Sequence, residues 1–208
     1  MDYLQELTTR YPNLKLVSDS INSAFETIRD SYVAGGKLLI AGNGGSAADS
    51  EHIVGELMKN FVKRRSLPRN FIHALNNCPE EAASYLSAHL QPGFPAISLT
   101  GHSALSSACV NDIDGSVVFA QQVYCLGRPG DVFLGISTSG SARNVFYALI
   151  TAKAVGLKTI ALTGGTGGIL AGAADTAIIV PENETYKIQE LHLPVYHSLC
   201  LMLEEYFF

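Results

Sequence analysis

Charge and long apolar runs are scarce in these 208 residues. Only 16% of the residues are Asp, Glu, Lys or Arg, and a net charge of −5 with a pI near 5.6 argues against a nucleic-acid-binding surface. No apolar stretch reaches about 18 residues, so we expect no membrane-spanning helix. The acidic first residues lack the apolar segment of a signal peptide. We therefore expect a cytoplasmic protein with neither a nucleic-acid nor a membrane partner.

Paired cysteine motifs are also absent. The four cysteines form no C-x-x-C pair, and Cys109 and Cys200 stand in apolar runs; the other two are Cys78 and Cys125. We predict that all four are reduced and that most are buried, as is usual in the cytoplasm. The hydrophobic content of 47% supports a full core in a single domain, residues 1–208.

Short apolar runs alternate with helical segments along most of the chain. The runs are typical of buried parallel strands and cover Leu38–Ala41, Pro95–Thr100, Val132–Ser137, Thr159–Thr163 and Thr176–Val180. Helices are predicted over 47–60, 103–111, 117–126 and 142–155, and from about Tyr186 to the end, with a kink or local unwinding at Pro194. This alternation predicts an α/β fold, an open parallel sheet of about five strands with helices on both faces.

Two segments fall outside this alternation. Residues 14–34 carry the apolar stripe of an amphipathic helix. We predict that residues 1–35 form an N-terminal helical segment that packs on the domain or on a partner subunit. Residues 61–94 hold a basic loop and a helix beginning near Pro79, and we predict an insertion over the rim of the sheet.

The glycine-rich turn Gly42-Asn43-Gly44-Gly45-Ser46 lies between a predicted strand and a predicted helix. Unpaired N–H groups and the helix dipole favour an anion at such a helix N-terminus. Three glycines exceed what a plain turn needs, and they allow backbone N–H groups to approach a ligand closely. The turn has neither the dinucleotide fingerprint nor the lysine of a P-loop. We predict ligand contact through Asn43, Gly44, Gly45 and Ser46.

A second polar turn, Ser137-Thr138-Ser139-Gly140-Ser141, follows the predicted strand that begins at Val132. A helix N-cap explains one hydroxyl and leaves three, which favours a neutral phosphate cradle. No Gly-x-Ser-x-Gly elbow of an acyl hydrolase is present. Because the carboxyl ends of parallel strands share one rim, we expect the two turns to converge there, with the glycine-rich Gly164–Gly168. Asn111 and Asp112 form either a plain turn or a sugar-hydroxyl contact.

His52 and Glu56 are spaced i, i+4 in the helix after the glycine turn, so they share one face. Alone, this spacing also fits a surface pair. The last predicted helix adds Gln189 and His197, about 12 Å apart along a straight helix, from where long side chains only just converge. His192 lies on another face, and we interpret it as structural.

Together these motifs resemble the phosphoheptose isomerases, which are sugar-isomerase (SIS) domain proteins. The matching stretches are Gly42–Asp49 with His52 and Glu56, Leu126–Val132, Gly135–Gly140, Thr159–Gly164 and Ile188–His192 with His197. The resemblance implies a flavodoxin-like three-layer sandwich and a homotetramer with active sites at subunit interfaces. It implies an aldose–ketose isomerase that interconverts sedoheptulose 7-phosphate and D-glycero-D-manno-heptose 7-phosphate.

The resemblance also implies roles for individual residues. Glu56 would be the base and His197 the acid, and one zinc per site would be held by His52, Glu56, Gln189 and His197. Substrate contacts are implied at Asn43, Gly44, Gly45, Asn111, Asp112, Ser137, Thr138 and Ser139. Where the family usually has Ser-Gly-Asn-Ser, this chain has Ser139-Gly140-Ser141-Ala142, and Ser141 could take the place of the missing serine.

Two other functions stay open. The chain could be a non-catalytic SIS protein, either an adaptor for the replication initiator protein or a sensor of sugar phosphates. It could also isomerise a different sugar phosphate. The joint presence of Glu56, Gln189 and His197 favours the enzyme, because an adaptor needs no acid–base pair.

Overall fold

Five parallel strands form the single sheet of this computed structural model, which describes residues 2–208. The strands are β1 (Leu38–Ala41), β2 (Ala96–Ser98), β3 (Val132–Ile136), β4 (Lys158–Gly164) and β5 (Thr176–Val180). Their order in the sheet is β2-β1-β3-β4-β5, and every neighbouring pair is parallel. The predicted α/β fold is confirmed, and β2 is shorter than the predicted strand.

Ten α-helices and two short 3₁₀ segments are found in residues 2–208. The α-helices are α1 (Tyr3–Arg10), α2 (Ser18–Val33), α3 (Gly45–Met58), α4 (Arg69–Leu75), α5 (Glu80–His89), α6 (Ser103–Asp112), α7 (Val118–Leu126), α8 (Arg143–Val155), α9 (Gly168–Ala173) and α10 (Thr185–Phe207). The 3₁₀ segments are Pro12–Val17 and Gly115–Val117. Within this described part, no helix is long and apolar enough to cross a membrane.

The sheet separates two hydrophobic cores. Side chains alternate along a strand, so Leu38 and Ile40 face one core while Leu39 and Ala41 face the other. Residues of α1, α2, α3 and α10 fill the first core, and residues of α6, α7, α8 and α9 fill the second. The result is the three-layer arrangement that the alternation of strands and helices predicted.

The N-terminal segment differs from its prediction. The predicted single helix over 14–34 is wrong at its start, because residues 12–17 form a 3₁₀ segment with Pro12 at its first position. Helix α1, whose one fully packed residue is Leu7, lies within the predicted N-terminal helical segment 1–35 but was not predicted as a separate helix. Ser198 Oγ on α10 donates to Tyr3 O at 3.2 Å, so α1 packs against this chain's own α10. Packing on a partner subunit stays a prediction.

Residues 61–94 leave the end of α3 and return to the start of β2. Phe94 N donates to Leu57 O at 2.9 Å, and Asn60 N donates to the Gln91 side chain at 2.9 Å. Both ends of the segment are therefore held at the amino ends of the strands, across the sheet from the carboxyl rim. Helix α5 begins at Glu80, as predicted, whereas α4 was not predicted. A position over the rim stays a prediction.

Helix α10 is continuous through Pro194, so the local unwinding predicted there does not occur. The prediction that most of the cysteines are buried is also wrong, because only two of the four are. All four cysteines are free, and Cys109 and Cys200 are buried, but Cys78 and Cys125 are exposed. Cys78 lies in the linker between α4 and α5, where little is buried, and Cys125 lies on the outer side of α7.

Candidate active site

A cleft of about 380 Å³ opens at the carboxyl ends of β1 and β3. Its walls come from the two polar turns and from the first turns of α3 and α10: Asn43, Gly44, Gly45, Ser46, Ile136, Ser137, Thr138, Ser139, Ala142, Thr185 and Gln189. Gly44, with φ +55°, caps α3 in a conformation that favours glycine. The two turns therefore meet at one rim, as parallel strand order requires.

Gln189 lies directly against the glycine turn. A Cβ atom added to Gly45 would come within 2.5 Å of Gln189 Nε2. A methyl group at this position would displace the Gln189 amide, which is the far end of a flexible side chain, so the glycine leaves room for that amide in the cleft. Gln189 is thereby a wall of the cleft.

A pair of asparagine amides joins the two turns. Asn43 Nδ2 donates to Asn144 Oδ1 at 2.9 Å, and Asn144 Nδ2 donates to Asn43 Oδ1 at 2.9 Å. Asn144 lies in the first turn of α8 and was not singled out in the sequence. A side-chain amide one turn into the helix after the serine-rich turn is the signal that could have found it.

The hydroxyls of the serine-rich turn have different surroundings. Ser139 Oγ accepts a hydrogen bond from the backbone N–H of Ser141 at 3.2 Å, and Ser141 Oγ donates to Ser139 O at 3.3 Å. The cleft wall at this point is Ala142, so Ser141 does not line it. Ser137, Thr138 and Ser139 all do. The glycine-rich Gly164–Gly168 does not line the cleft; it supports the serine-rich turn through Gly164 N, which donates to Thr138 O at 3.0 Å.

His52, Glu56 and His197 come together where α3 lies beside α10. His52 Nε2 is 3.2 Å from Glu56 Oε1 and 3.4 Å from His197 Nε2. Lys59 Nζ is 2.9 Å from Glu56 Oε2, so the carboxylate has a cation on its other oxygen. Burial lowers the pKa of His197, with the charge of His52 acting in the same direction and Glu56 opposing both. Carboxylate, imidazoles and ammonium thus form one group of proton donors and acceptors.

The other nitrogen of His52 is held by a buried tyrosine. Tyr196 Oη is 3.0 Å from His52 Nδ1 and donates to Asp49 Oδ1 at 3.2 Å. Burial raises the pKa of Asp49, which the hydrogen bond from Tyr196 and the charge of His52 partly offset. Burial also raises the pKa of Tyr196, with Asp49 acting in the same direction. Asp49, Tyr196 and Lys59 were not among the predicted site residues.

The donor set suits zinc in part. Ligands of tetrahedral zinc at 2.0–2.1 Å are separated by about 3.3 Å, which matches the 3.2 Å and 3.4 Å separations around His52 Nε2. Among residues 2–208, no three His, Cys, Asp or Glu side chains already surround a common point, so binding requires side-chain rotation. Gln189, predicted as the fourth ligand, lies against Gly45 instead.

Other predicted residues lie elsewhere. Asn111 and Asp112 are exposed at the end of α6, where Asn111 Nδ2 donates to Asp112 Oδ1 at 2.7 Å, and neither lines the cleft of this chain. Their role as sugar contacts stays a prediction. His192 is fully buried, with Nε2 3.2 Å from Thr163 O. Its surroundings fit the structural role predicted for it.

Known proteins resemble this chain over most of its length. The SIS domain family model matches residues 81–164. A phosphoheptose isomerase from Thermodesulfovibrio yellowstonii is 40% identical over 188 residues, which cover 90% of this chain and 81% of that protein. A probable phosphoheptose isomerase from Thermoplasma acidophilum is 37% identical over 210 residues, which cover 99% of this chain and 97% of that protein.

Solved structures agree with the sequence relatives. The phosphoheptose isomerase GmhA from Neisseria gonorrhoeae superposes with a TM-score of 0.76 at 29% identity, over 97% of this chain and 94% of that one. A phosphoheptose isomerase from Francisella tularensis gives a TM-score of 0.74 at 28% identity, over 98% of this chain and 95% of that one. With the sheet order, the cleft and the residues described above, this similarity shows that the chain belongs to the phosphoheptose isomerases, a family of sugar-phosphate isomerases.

Proposed function

We propose that this chain interconverts sedoheptulose 7-phosphate and D-glycero-D-manno-heptose 7-phosphate through an enediol. The observation that carries the proposal is the meeting of Glu56 on α3 and His197 on α10 around His52 Nε2. An aldose–ketose isomerisation moves one proton between adjacent carbons, and it needs a base on one side and a proton donor at the carbonyl oxygen. These two helices supply both.

Glu56 is the proposed base. Its side chain is 15% exposed, which leaves one edge of the carboxylate open to a substrate carbon while most of the group is shielded from water. The carboxylate takes the proton next to the carbonyl and returns it to the neighbouring carbon. Lys59 Nζ at 2.9 Å keeps Glu56 Oε2 in place, so that Oε1 is the oxygen that faces the His52 imidazole.

His197 is the proposed acid. Its Nε2 proton passes to the carbonyl oxygen as the enediol forms and is recovered from the hydroxyl oxygen in the second half of the reaction. Phe61 packs on the His197 ring with a centroid separation of 5.3 Å, which limits rotation of the imidazole. A positioned acid or base of this kind typically contributes 10²–10⁴-fold to the rate.

The phosphate is proposed to bind in the cleft between the two polar turns. The first N–H groups of α3 and the hydroxyls of Ser137, Thr138 and Ser139 line that space. Gln189 in the cleft and His197 on the same helix are eight residues apart, about 12 Å along the axis. An extended seven-carbon chain with bonds of about 1.5 Å spans roughly 8 Å, and the phosphate group adds about 3 Å. With the reach of the two side chains, a long sugar phosphate therefore covers this separation. Remote phosphate binding then orients the reacting carbons.

A zinc ion is proposed at the same place, with His52, Glu56 and His197 as protein ligands and Gln189 as a fourth after rotation. When bound, the ion would polarise the carbonyl and the adjacent hydroxyl. Coordination of Glu56 makes it a weaker base, and coordination of His197 through Nε2 would remove the proton that it is proposed to donate, so the metal-binding and acid–base roles of both residues compete. The half-exposed His52 and the ion pair with Lys59 are the features of the site that such binding would change.

We further propose a cytoplasmic homotetramer in which neighbouring subunits complete each active site. Asn111 and Asp112 are exposed at the end of α6, outside the cleft of their own chain. An exposed apolar surface on the same helix, formed by Leu105 and Val110, would be covered in such an assembly. In that arrangement the asparagine and aspartate orient sugar hydroxyls in a neighbour's site.

Solvent deuterium exchange into sedoheptulose 7-phosphate tests this function. The wild type should exchange one carbon-bound hydrogen, and Glu56→Gln should reduce exchange at least a hundredfold while sugar-phosphate affinity stays within about tenfold. Glu51→Gln is the matched control, because Glu51 lies on the same helix but faces Thr100. It should exchange like the wild type.

The same assay separates the other functions. A non-catalytic adaptor or sensor gives no exchange with any sugar phosphate in a panel of C5 to C7 ketose phosphates. An isomerase of another sugar exchanges only with that sugar. Full activity of Glu56→Gln would remove Glu56 from the mechanism.

A further inference from the structure

A chain of three polar side chains, Asp49, Tyr196 and His52, runs from the core to the proposed active site. Tyr196 is 1% exposed, and its hydroxyl lies between Asp49 Oδ1 at 3.2 Å and His52 Nδ1 at 3.0 Å. Asp49 Oδ2 is buried and has no hydrogen-bond partner among residues 2–208. The phenol is therefore the one donor that the described part of the chain offers to this carboxylate.

Counting protons along the chain fixes the direction of both hydrogen bonds. A carboxylate only accepts, and a phenol has one proton to donate. If Tyr196 donated to His52, Asp49 Oδ1 would face an oxygen lone pair, and the half-buried carboxylate would have no donor among the described side chains, which is costly. The hydroxyl proton therefore goes to Asp49, and the phenol oxygen accepts the proton of His52 Nδ1–H.

A neutral imidazole has only one N–H, so protonation of Nδ1 leaves Nε2 as a bare acceptor. This nitrogen is the one that faces Glu56 Oε1 at 3.2 Å and His197 Nε2 at 3.4 Å. We propose that Tyr196 and Asp49 are positioning residues that hold His52 in its Nδ1-protonated tautomer, so that a lone pair of Nε2 points into the active site.

Two consequences follow for the site. The bare Nε2 can accept a hydrogen bond from His197 Nε2–H, which fixes the orientation of the proposed acid. It also places the Nε2 lone pair beside Glu56 Oε1, so two hydrogen-bond acceptors face each other. A cation bound between them would offset their repulsion. A metal-bound histidine usually donates its other N–H to an oxygen, which fixes the ring and its tautomer. The catalytic value of the pair rests on the proposed isomerase function, whereas the tautomer of His52 does not.

The tautomer is measured directly by long-range ¹H–¹⁵N correlation spectra of the metal-free full-length protein at pH 8, where a free imidazole is neutral. The wild type should give the pattern of an Nδ1-protonated, Nε2-bare ring for His52. Tyr196→Phe removes only the hydroxyl and should shift His52 to a mixture or to the Nε2-protonated form. Asp49→Asn, which removes the acceptor charge, should shift it in the same direction.

The matched control is Tyr32→Phe. Burial of the Tyr32 hydroxyl raises its pKa, and this hydroxyl has no partner among residues 2–208, so the variant removes a buried phenol oxygen far from the site. It should leave the His52 spectrum unchanged. An Nε2-protonated His52 in the wild type, or a wild-type spectrum in Tyr196→Phe and Asp49→Asn, would overturn the proposal.

Zinc titration against a chromogenic chelator gives a second readout. Loss of an outer hydrogen-bond partner typically weakens metal binding 10–100-fold, and we expect this loss in Tyr196→Phe but not in Tyr32→Phe. Equal zinc affinity in both variants would overturn the metal-directed part of the proposal. A wild type that shows the expected tautomer but exchanges no deuterium into sugar phosphates would instead contradict the proposed function and leave the positioning role intact.

Discussion

Glu204, near the end of α10, should be the single carboxylate on which folding depends most. It is fully buried, and it accepts the N–H groups of Phe61, Val62 and Lys63 at 2.8, 2.9 and 3.1 Å. The buried Arg65 donates to the same carboxylate through Nε at 3.0 Å and Nη2 at 2.9 Å. Glu204→Gln removes the charge and replaces one acceptor oxygen with a donor that faces N–H groups.

The expected loss of unfolding free energy depends on Arg65, whose charge stays buried after the carboxylate is removed. Breaking a buried ion pair costs about 3–5 kcal/mol, because the other charge stays buried without compensation. Arg65 Nη1 keeps its bonds to Leu57 O at 3.2 Å and Pro92 O at 3.3 Å, and its guanidinium stays stacked on Phe208. We therefore expect the lower end, about 3 kcal/mol, or roughly a hundredfold fall in the folding equilibrium constant.

The assay is urea unfolding at pH 7 and constant protein concentration, because the proposed assembly would make the free energy of unfolding concentration-dependent. The control is Glu205→Gln, the same substitution one residue on, where the carboxylate is 2.9 Å from Lys63 at the surface. This exposed pair should contribute less than about 1 kcal/mol. Equal losses in the two variants would refute the reasoning.

The pH dependence of this difference has a definite sign. Burial raises the pKa of Glu204, but hydrogen bonds from Phe61, Val62, Lys63 and Arg65 outweigh it, and the net pKa is lowered. Stability from Glu204 is therefore present above its ordinary value of 4.5 and is lost as the pH falls below that value, through the folded-state pKa. The wild type and Glu204→Gln should converge in stability in acid.

Two further predictions concern the cleft and the core. Gly45→Ala should raise the KM for the sugar phosphate about tenfold with little loss of stability, since the new Cβ would lie 2.5 Å from Gln189 Nε2. Gly55→Ala on the same helix has open space around its Cβ and should leave the KM unchanged. An equal rise in the KM of this variant would show that a Gly→Ala change anywhere in the helix raises the KM, and not the contact with Gln189. Burial lowers the pKa of His192 to about 4, against a bond to Thr163 O that raises it. The unfolded state then binds the extra proton first, so the wild type should lose stability as the pH falls from 6.5 to 4, by at most about 3 kcal/mol more than His192→Gln. The free energy of unfolding, measured with urea at several pH values, should therefore depend on pH more steeply in the wild type. An identical pH dependence in the two proteins would contradict a buried neutral imidazole.

The fold could be predicted largely because its strands are short apolar runs that end in glycine or serine. This signal is local, and it fixed four of the five strands to within one residue at each end. The bounds of α1 within the predicted helical segment 1–35 were not found, because only Leu7 is buried in this helix and one buried residue forms no visible apolar stripe. Helix α9 was missed because its glycines are typical of a turn.

The site was predictable only where its signal lies within one segment. His52 and Glu56 show an i, i+4 spacing, and the two polar turns show their composition directly. The Tyr196 hydroxyl belongs to the site because it donates to Asp49, which is 147 residues earlier in the chain. No local sequence pattern predicts a contact between residues so far apart. The same holds for the amides of Asn43 and Asn144, which are 101 residues apart.

Because α10 is continuous, it fixes the distance between the two ends of the proposed substrate site. One uninterrupted helix carries Gln189 to the phosphate end and His197 to the proton-transfer end, and further down it carries Glu204. Deleting a single residue between the first two would turn everything after it by about 100° and shift it by about 1.5 Å. Point substitutions can therefore retune chemistry at either end, but adapting such a protein to a markedly shorter or longer sugar would require gain or loss of a whole helical turn.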